Sequence, residues 1–263
     1  MPWSNILKKA ESTSLLRLFI RLIKKDFTGF LVFISIWLLL SLIFPDYIIP
    51  DPWQVVSQAD KLIDADFMHH LQLTLFRLLT GFVIAFLLAT ILGIIAYMMS
   101  VHEYAENILS LFQVIPGTIL AIIFLIIFGV GDKVPIAMII AMSIPIMAIN
   151  TSTGLRGVNR EQQEVVYVFG GSMPQVIRYV YIPALIPVFR SNFLIGTGLA
   201  LKVIVLGEYI GCEDGIGFLL NNARILFQME KVFFYLLIIM LIALIFHIII
   251  NLIFVELFRK YID

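Results

Sequence analysis

Apolar residues recur along this chain in runs long enough to cross a lipid bilayer, and that constrains its fold more than any other feature. An α-helix needs about 17–25 such residues to traverse roughly 30 Å of hydrocarbon. Runs of this kind lie near 27–45, 75–99, 109–130, 134–150, 186–207 and 232–257. The expected fold class is therefore an all-α integral membrane protein with six transmembrane helices. Apolar residues make up 61% of the 263 and charged residues only 14%, against roughly 45–50% apolar in soluble domains. A net charge of zero offers no basic field for nucleic acid, and the single Cys212 excludes an internal disulfide or a cysteine metal cluster. The first span is long enough to cross and ends without a small-residue cleavage site, so it reads as a retained anchor.

Charge asymmetry sets the expected orientation. Lys8, Lys9, Arg17, Arg21, Lys24 and Lys25 precede the first span, and basic flanks stay in the cytoplasm. Six crossings then return the C-terminus, with Arg259 and Lys260, to the same side. Arg156, Arg160 and Arg178 mark the long loop after the fourth span as cytoplasmic, whereas Asp46, Asp51, Asp60, Asp64 and Asp66 face only Lys61 in the first outer loop. Residues 1–26 read as a basic amphipathic lead-in lying on the inner leaflet. Residues 27–263 form the transmembrane domain, including a cytoplasmic loop at 151–185. Pro116-Gly117, Pro135 and Pro145 are expected to interrupt the third and fourth spans, where only neighbouring helices or a cavity can satisfy the freed backbone.

The loop is water-compatible in a chain that mostly is not. Val165, Val168 and Phe169 fall at helical spacing against Glu161 and Glu164, and Val176, Ile177 and Val180 do so against Arg178. Two short amphipathic helices joined by a Gly170-Gly171 hinge are expected. Their apolar faces need a cover, most simply a soluble protein docking from the cytoplasm.

Glu164-Val165-Val166, Gly170, and Val180, Ile182 and Pro183 have the spacing of the loop found in permeases of bacterial ATP-binding-cassette importers, with valines where that signature has two alanines. The resemblance continues through IIPDP, HHLQLTLFRLLTGF, QVIP, IFGVGDK, SIPIMAINTSTGLRGV and LGEYIGCEDGIGFLL. In that combination the chain resembles the nitrate, sulfonate and taurine type of permease, whose members include carriers of heterocyclic vitamin precursors. The resemblance implies a type I importer core in the bacterial cytoplasmic (inner) membrane. It also implies a second permease copy, two cytoplasmic ATPase subunits and an extracytoplasmic substrate-binding protein. Glu161, Glu164, Val168, Gly170, Gly171, Met173 and Pro183 would form the ATPase-coupling loop. No Gly-x-x-x-x-Gly-Lys-Ser/Thr stretch occurs, so ATP and Mg are expected on the partner, and no cofactor on this chain.

Ionisable residues inside spans are rare because each costs roughly 2.5–3.5 kcal/mol on insertion scales. Arg77, near the outer end of the second span, reads as structural and able to snorkel. Lys202 lies deep in the fifth span, where relatives usually carry an aromatic or apolar residue. Glu208 is six residues on, about 240° around an ideal helix, so the two do not pair on one face. Lys202 either pairs across helices or faces the translocation path and meets an anion. Glu208 matches a position at the outer mouth, before the gate-like EYIGCEDGIG. Asn150 and Thr151, with Ser152, either line the path or cap the loop helix. Asp66, His69 and His70 invite a metal reading, but no second cluster completes the ligand set. Two other classes compete: an intramembrane enzyme, for instance one using a Ser143–lysine pair, and a membrane anchor for a cytoplasmic complex. The anchor accounts for the loop but not for the proline-broken spans or Lys202.

Overall fold

The computed structural model of the protein describes residues 27–257, and the expected lead-in at 1–26 together with Arg259 and Lys260 lies outside them. Every regular element among the described residues is helical, and no strand occurs among them. In chain order the helices are α1 (Phe27–Ser41), α2 (Pro52–Ser57), α3 (Ala59–Leu62), α4 (Ala65–Met98), α5 (His102–Phe112) and α6 (Gly117–Phe128). There follow α7 (Lys133–Arg156), α8 (Arg160–Val168), α9 (Met173–Val176), a π-helical turn (Ile177–Tyr181), α10 (Ile182–Gly211), α11 (Ile216–Ile225) and α12 (Met229–Leu257).

Four stretches among the described residues are long and apolar enough to cross a membrane: α4, α7, the run Met173–Gly211, and α12. Helices α5 and α6 qualify only as a pair, and they meet at 84°. The interruption expected in the third span, at Pro116-Gly117, is therefore present. Pro116 has no N–H to continue α5, and its ring disfavours helical geometry at Ile115. It adopts extended geometry (φ −60°, ψ 132°) and α6 starts after it. Helix α5 has no buried residue. The expected first span also differs, because its helix, described over Phe27–Ser41, ends four residues short of Pro45.

The expected interruption of the fourth span does not occur. Pro135 occupies the first turn of α7, where backbone N–H groups lack helical partners anyway, and α7 runs on through Pro145 to Arg156. Helix α4 starts at Ala65, not near 75, because the Asp64 carboxylate accepts the Phe67 N–H at 2.8 Å and caps it.

Helix α7 is the centre of the bundle, packed between α4 and α10. Small residues allow both approaches. Gly81, Ala85, Ala89, Gly93 and Ala96 form one stripe on α4, all buried. A Cβ on Gly93 would lie 2.7 Å from the Ala148 carbonyl oxygen. On α10 the buried stripe is Gly196, Ala200, Gly207 and Gly211, and a Cβ on Gly207 would lie 2.7 Å from Pro135 Cα. Inside a membrane, where lipid is as apolar as leucine, close backbone packing of this kind supplies much of helix association. At one end of the bundle a second apolar cluster forms around Trp37, Val55, Phe67, Ile216 and Phe234, with Trp37 Nε1 donating to the Pro50 carbonyl at 2.9 Å. At the other end α8 and α9 project.

Candidate functional site

The projecting loop is held by three consecutive caps. The Asn159 side chain accepts the Glu161 N–H at 3.0 Å and starts α8, and its amide donates to Glu161 Oε2 at 3.2 Å. At the end of α8, Gly170 N–H donates to the Tyr167 carbonyl at 2.9 Å and Gly171 N–H to the Val166 carbonyl at 2.8 Å. With Gly170 at φ +76°, this is a Schellman cap. Ser172 N–H then donates to Gln175 Oε1 at 2.6 Å and opens α9. The expected flexible glycine hinge is corrected: both glycines are committed to a hydrogen-bonded helix stop. Pro183 is no break either. Met173–Gly211 is one helical run, and the π turn at Ile177–Tyr181 lies just before Pro183, which itself donates no hydrogen bond. The Tyr97 and Tyr181 hydroxyls, 3.1 Å apart, tie this turn to α4.

The tip of the loop is apolar and uncovered. Val168 is 83% exposed and Phe169 86% exposed, and Val165 and Met173 are exposed beside them. Glu164 is exposed too, with no side-chain partner among the described residues, while Val176 and Val180 are buried against the bundle. A capped helix with an apolar tip, joined by a hydrogen-bonded turn to the run Met173–Gly211, suits mechanical docking.

Asn150 and Thr151 sit within α7, so the capping alternative is corrected; Asn159 fills that role. Asn150 Nδ2 donates to Asn192 Oδ1 at 2.7 Å, and Asn192 Nδ2 donates to Thr151 Oγ1 at 3.0 Å. These residues bridge α7 and α10, and Thr151 is fully buried.

At the opposite end lies a buried ionic knot. Arg77 is 1% exposed. Its Nη1 donates to Glu208 Oε1 at 3.0 Å and to the Asp214 carbonyl at 3.2 Å, its Nε donates to Asp132 Oδ1 at 2.7 Å, and Nη2 reaches the Asp214 carboxylate. Arg77 therefore does not snorkel. Glu208 is fully buried and also accepts from Thr74 Oγ1 and from the Gly217 N–H, each at 2.9 Å. Its carboxylate meets these donors and no open passage. Thr74 Oγ1 in turn accepts the Ile216 N–H at 2.9 Å, and His70 Nδ1 accepts the Gly215 N–H at 2.8 Å. Three N–H groups at the start of α11 are thus satisfied by α4 and α10 side chains. A Cβ on Gly215 (φ +95°) would strike the Glu208 carboxylate. Because His70 Nδ1 accepts, its proton resides on Nε2, 3.6 Å from Asp66 Oδ2, so His70 has no Nδ1 lone pair left for a metal.

Cys212 follows α10 and is 8% exposed; burial, opposed by Arg77, pushes its thiol up to about 12. Lys202 is exposed on α10 and has no partner among the described residues. Ser143 is fully buried with its hydroxyl in no hydrogen bond, so the Ser143–lysine pair is not formed. Sequence reading missed Arg190, whose Nη2 donates to Asn251 Oδ1 at 3.0 Å. Arg190-Ser191-Asn192, three polar residues inside an apolar run, was the available signal. It also missed that Asp132 and Asp214 converge on Arg77.

Residues 85–258 match the family described as the binding-protein-dependent transport system inner membrane component. The chain is 27% identical to the formylaminopyrimidine transport permease protein ThiX of Halalkalibacterium halodurans, over 78% of this chain and 82% of that protein. It is 31% identical to the riboflavin transport system permease protein RibX of Chloroflexus aurantiacus, over 72% of each. To the taurine transport system permease protein TauC of Escherichia coli it is 25% identical, over 73% of each.

Proposed function

Given that the chain belongs to the inner-membrane components of binding-protein-dependent transport systems, we propose that it forms the solute path of an ATP-driven importer and converts loop docking into movement of α10. The observation that carries this is the uncovered apolar tip at Val168 and Phe169 at the end of α8, which a hydrogen-bonded turn joins to the helical run Met173–Gly211. A cytoplasmic ATPase that binds ATP and Mg covers this tip, with Glu164 as a polar anchor. Six crossings, completed by α1 and the bent α5–α6 pair, place both termini on the ATPase side. The acidic face around Asp132 and Asp214 receives an extracytoplasmic binding protein, and a second permease copy and a second ATPase complete the assembly. The solute is a small anion or a heterocycle, as the named relatives suggest.

The test is co-purification followed by reconstitution. An ATPase and an outer binding protein should accompany the tagged chain, and loaded binding protein should stimulate ATP hydrolysis in proteoliposomes. Glu164→Ala should leave the chain inserted while weakening that stimulation. Unchanged stimulation in Glu164→Ala would remove its anchoring role, and the absence of any ATPase from the purified complex would defeat the reading altogether.

A further inference from the structure

Charge inside the spans is unbalanced. Outside the first and last three residues of the long helices α4, α7, α10 and α12, the ionic side chains are Arg77, Arg190, Lys202 and Glu208. Glu208 is committed to Arg77, which also holds Asp132 and Asp214. Arg190 and Lys202 have no carboxylate among the described residues. Among the described residues Arg190 donates to Asn251, and its Nε is buried there without a hydrogen-bond partner. Both cations lie on α10, about 12 Å from its Ile182 end and about 14 Å from its Gly211 end respectively, at 1.5 Å per residue.

They border one surface. At 100° per residue, Ser191, Ile195, Gly198 and Lys202 fall within about 60° of each other. Ile195, Gly198 and Lys202 are exposed. This stripe is diametrically opposite the Gly196, Ala200, Gly207 and Gly211 stripe that packs on α7. Arg190 opens onto the same stripe through a 410 Å³ cleft lined by Pro187, Ser191, Ile195 and Phe254. Hydrocarbon is a poor environment for an uncompensated cation, which persists at such depth by facing a water-filled cavity or an opposite charge.

Resting on the permease reading above, we propose that this stripe of α10 is an anion-selective face of the solute path, with Lys202 and Arg190 as successive contacts. The transported solute accordingly carries a negative charge such as a carboxylate, sulfonate or phosphate. Neutral solutes gain nothing from two unneutralised cations, and cationic ones are repelled. Selection therefore operates in the permease as well as in the capture protein.

Gly198 is a suitable reporter because a Cβ there meets nothing within 4 Å, and Cys212 is the chain's only cysteine. In a Cys212→Ser background, Gly198→Cys and Ser191→Cys are placed in the full chain, assembled with its ATPase in phosphatidylcholine vesicles. They are labelled with sulfonatoethyl and trimethylammonioethyl methanethiosulfonate, each rate normalised to free thiol. A cation about a helical turn away should favour the sulfonate over the ammonium reagent by at least about tenfold, the ratio expected even at the dielectric of water. Lys202→Met should bring the ratio at Gly198→Cys towards one, and Arg190→Met should do so at Ser191→Cys. No labelling by either reagent at either site, in protein that remains monodisperse, would place the stripe in lipid and overturn the proposal. Labelling without charge preference would overturn it while the permease reading stands, provided ATPase stimulation persists. If Ser191→Cys is protected only in vesicles containing phosphatidylglycerol, Arg190 serves a lipid headgroup and the two-contact path falls. Loss of ATPase stimulation in the Cys212→Ser parent itself would identify a failed assembly, and the labels would then be read in a wild-type Cys212 background, where the buried thiol stays silent.

Discussion

Arg77 and Glu208 are 1% and 0% exposed, so each depends on the other to offset the loss of water. Removing one partner of a buried pair typically costs about 3–5 kcal/mol, because the survivor remains charged and dry. Arg77→Met leaves Glu208 with Asp132 and Asp214 nearby and is expected to lower the melting temperature of the purified complex sharply. The double variant Arg77→Met/Glu208→Met should lose clearly less than the sum of the two single variants, as contacting residues do. Additive losses would show that the knot is not energetically coupled. Cys212 carries a pH prediction. Burial raises its thiol from 9.0 to about 12 in the folded chain, so the unfolded chain releases the proton first. The contribution is complete below pH 9.0 and is lost as pH rises towards about 12. Alkylation of native protein at pH 8 should consequently be slow, since the thiolate is the reactive form, and Cys212→Ser should remove this part of the alkaline loss of stability.

At the scale of elements, the glycine pair at the end of α8 behaves as a stop, and its two members fail in different ways. Gly170 has φ +76° and open space where a Cβ would go. Gly170→Ala therefore meets only the left-handed backbone cost, about 1–2 kcal/mol. Gly171 is different: a Cβ there would lie 2.6 Å from the Val166 carbonyl oxygen that its own N–H bonds. Gly171→Ala should be the more damaging substitution, read as faster proteolysis within 160–171 and weaker ATPase stimulation in proteoliposomes. Equal effects would mean that the cap is not maintained in the assembled transporter.

For the whole molecule, the sidedness of α10 sets which substitutions the bundle tolerates. Gly207→Leu drives a side chain into Pro135 of α7, and overpacking of this kind typically costs about 1–3 kcal/mol. Gly198→Leu, on the opposite side with no neighbour within 4 Å, should leave thermal stability unchanged. Thermal unfolding of both variants in detergent checks the contrast. Equal destabilisation would mean that the exposed stripe is packed in the assembly, against a second copy.

Hydropathy and loop spacing made much of this protein legible in advance. The apolar runs identified α4, α7, α10 and α12, because transfer into lipid is a local property of each residue. The loop was legible because helical periodicity and capping residues act within a few positions; the signature Glu164, Gly170 and Pro183 lies entirely on Arg160–Pro183. Short-range signals misjudged whatever depended on neighbours. Pro145 reads as a break, yet α7 runs through it within the packed bundle; Gly170-Gly171 reads as a hinge, yet hydrogen bonds to Val166 and Tyr167 make it a stop. Arg77 and Glu208 meet across 131 positions, and the direction in which Lys202 points follows from which side of α10 the glycine stripe presents to α7. The sequence by itself therefore determined that the chain is a helical membrane protein with an amphipathic, apolar-tipped loop between its spans. Only the tertiary structure decided which buried charges neutralise one another, because Coulomb and desolvation energies depend on distances in space that separation along the chain does not encode.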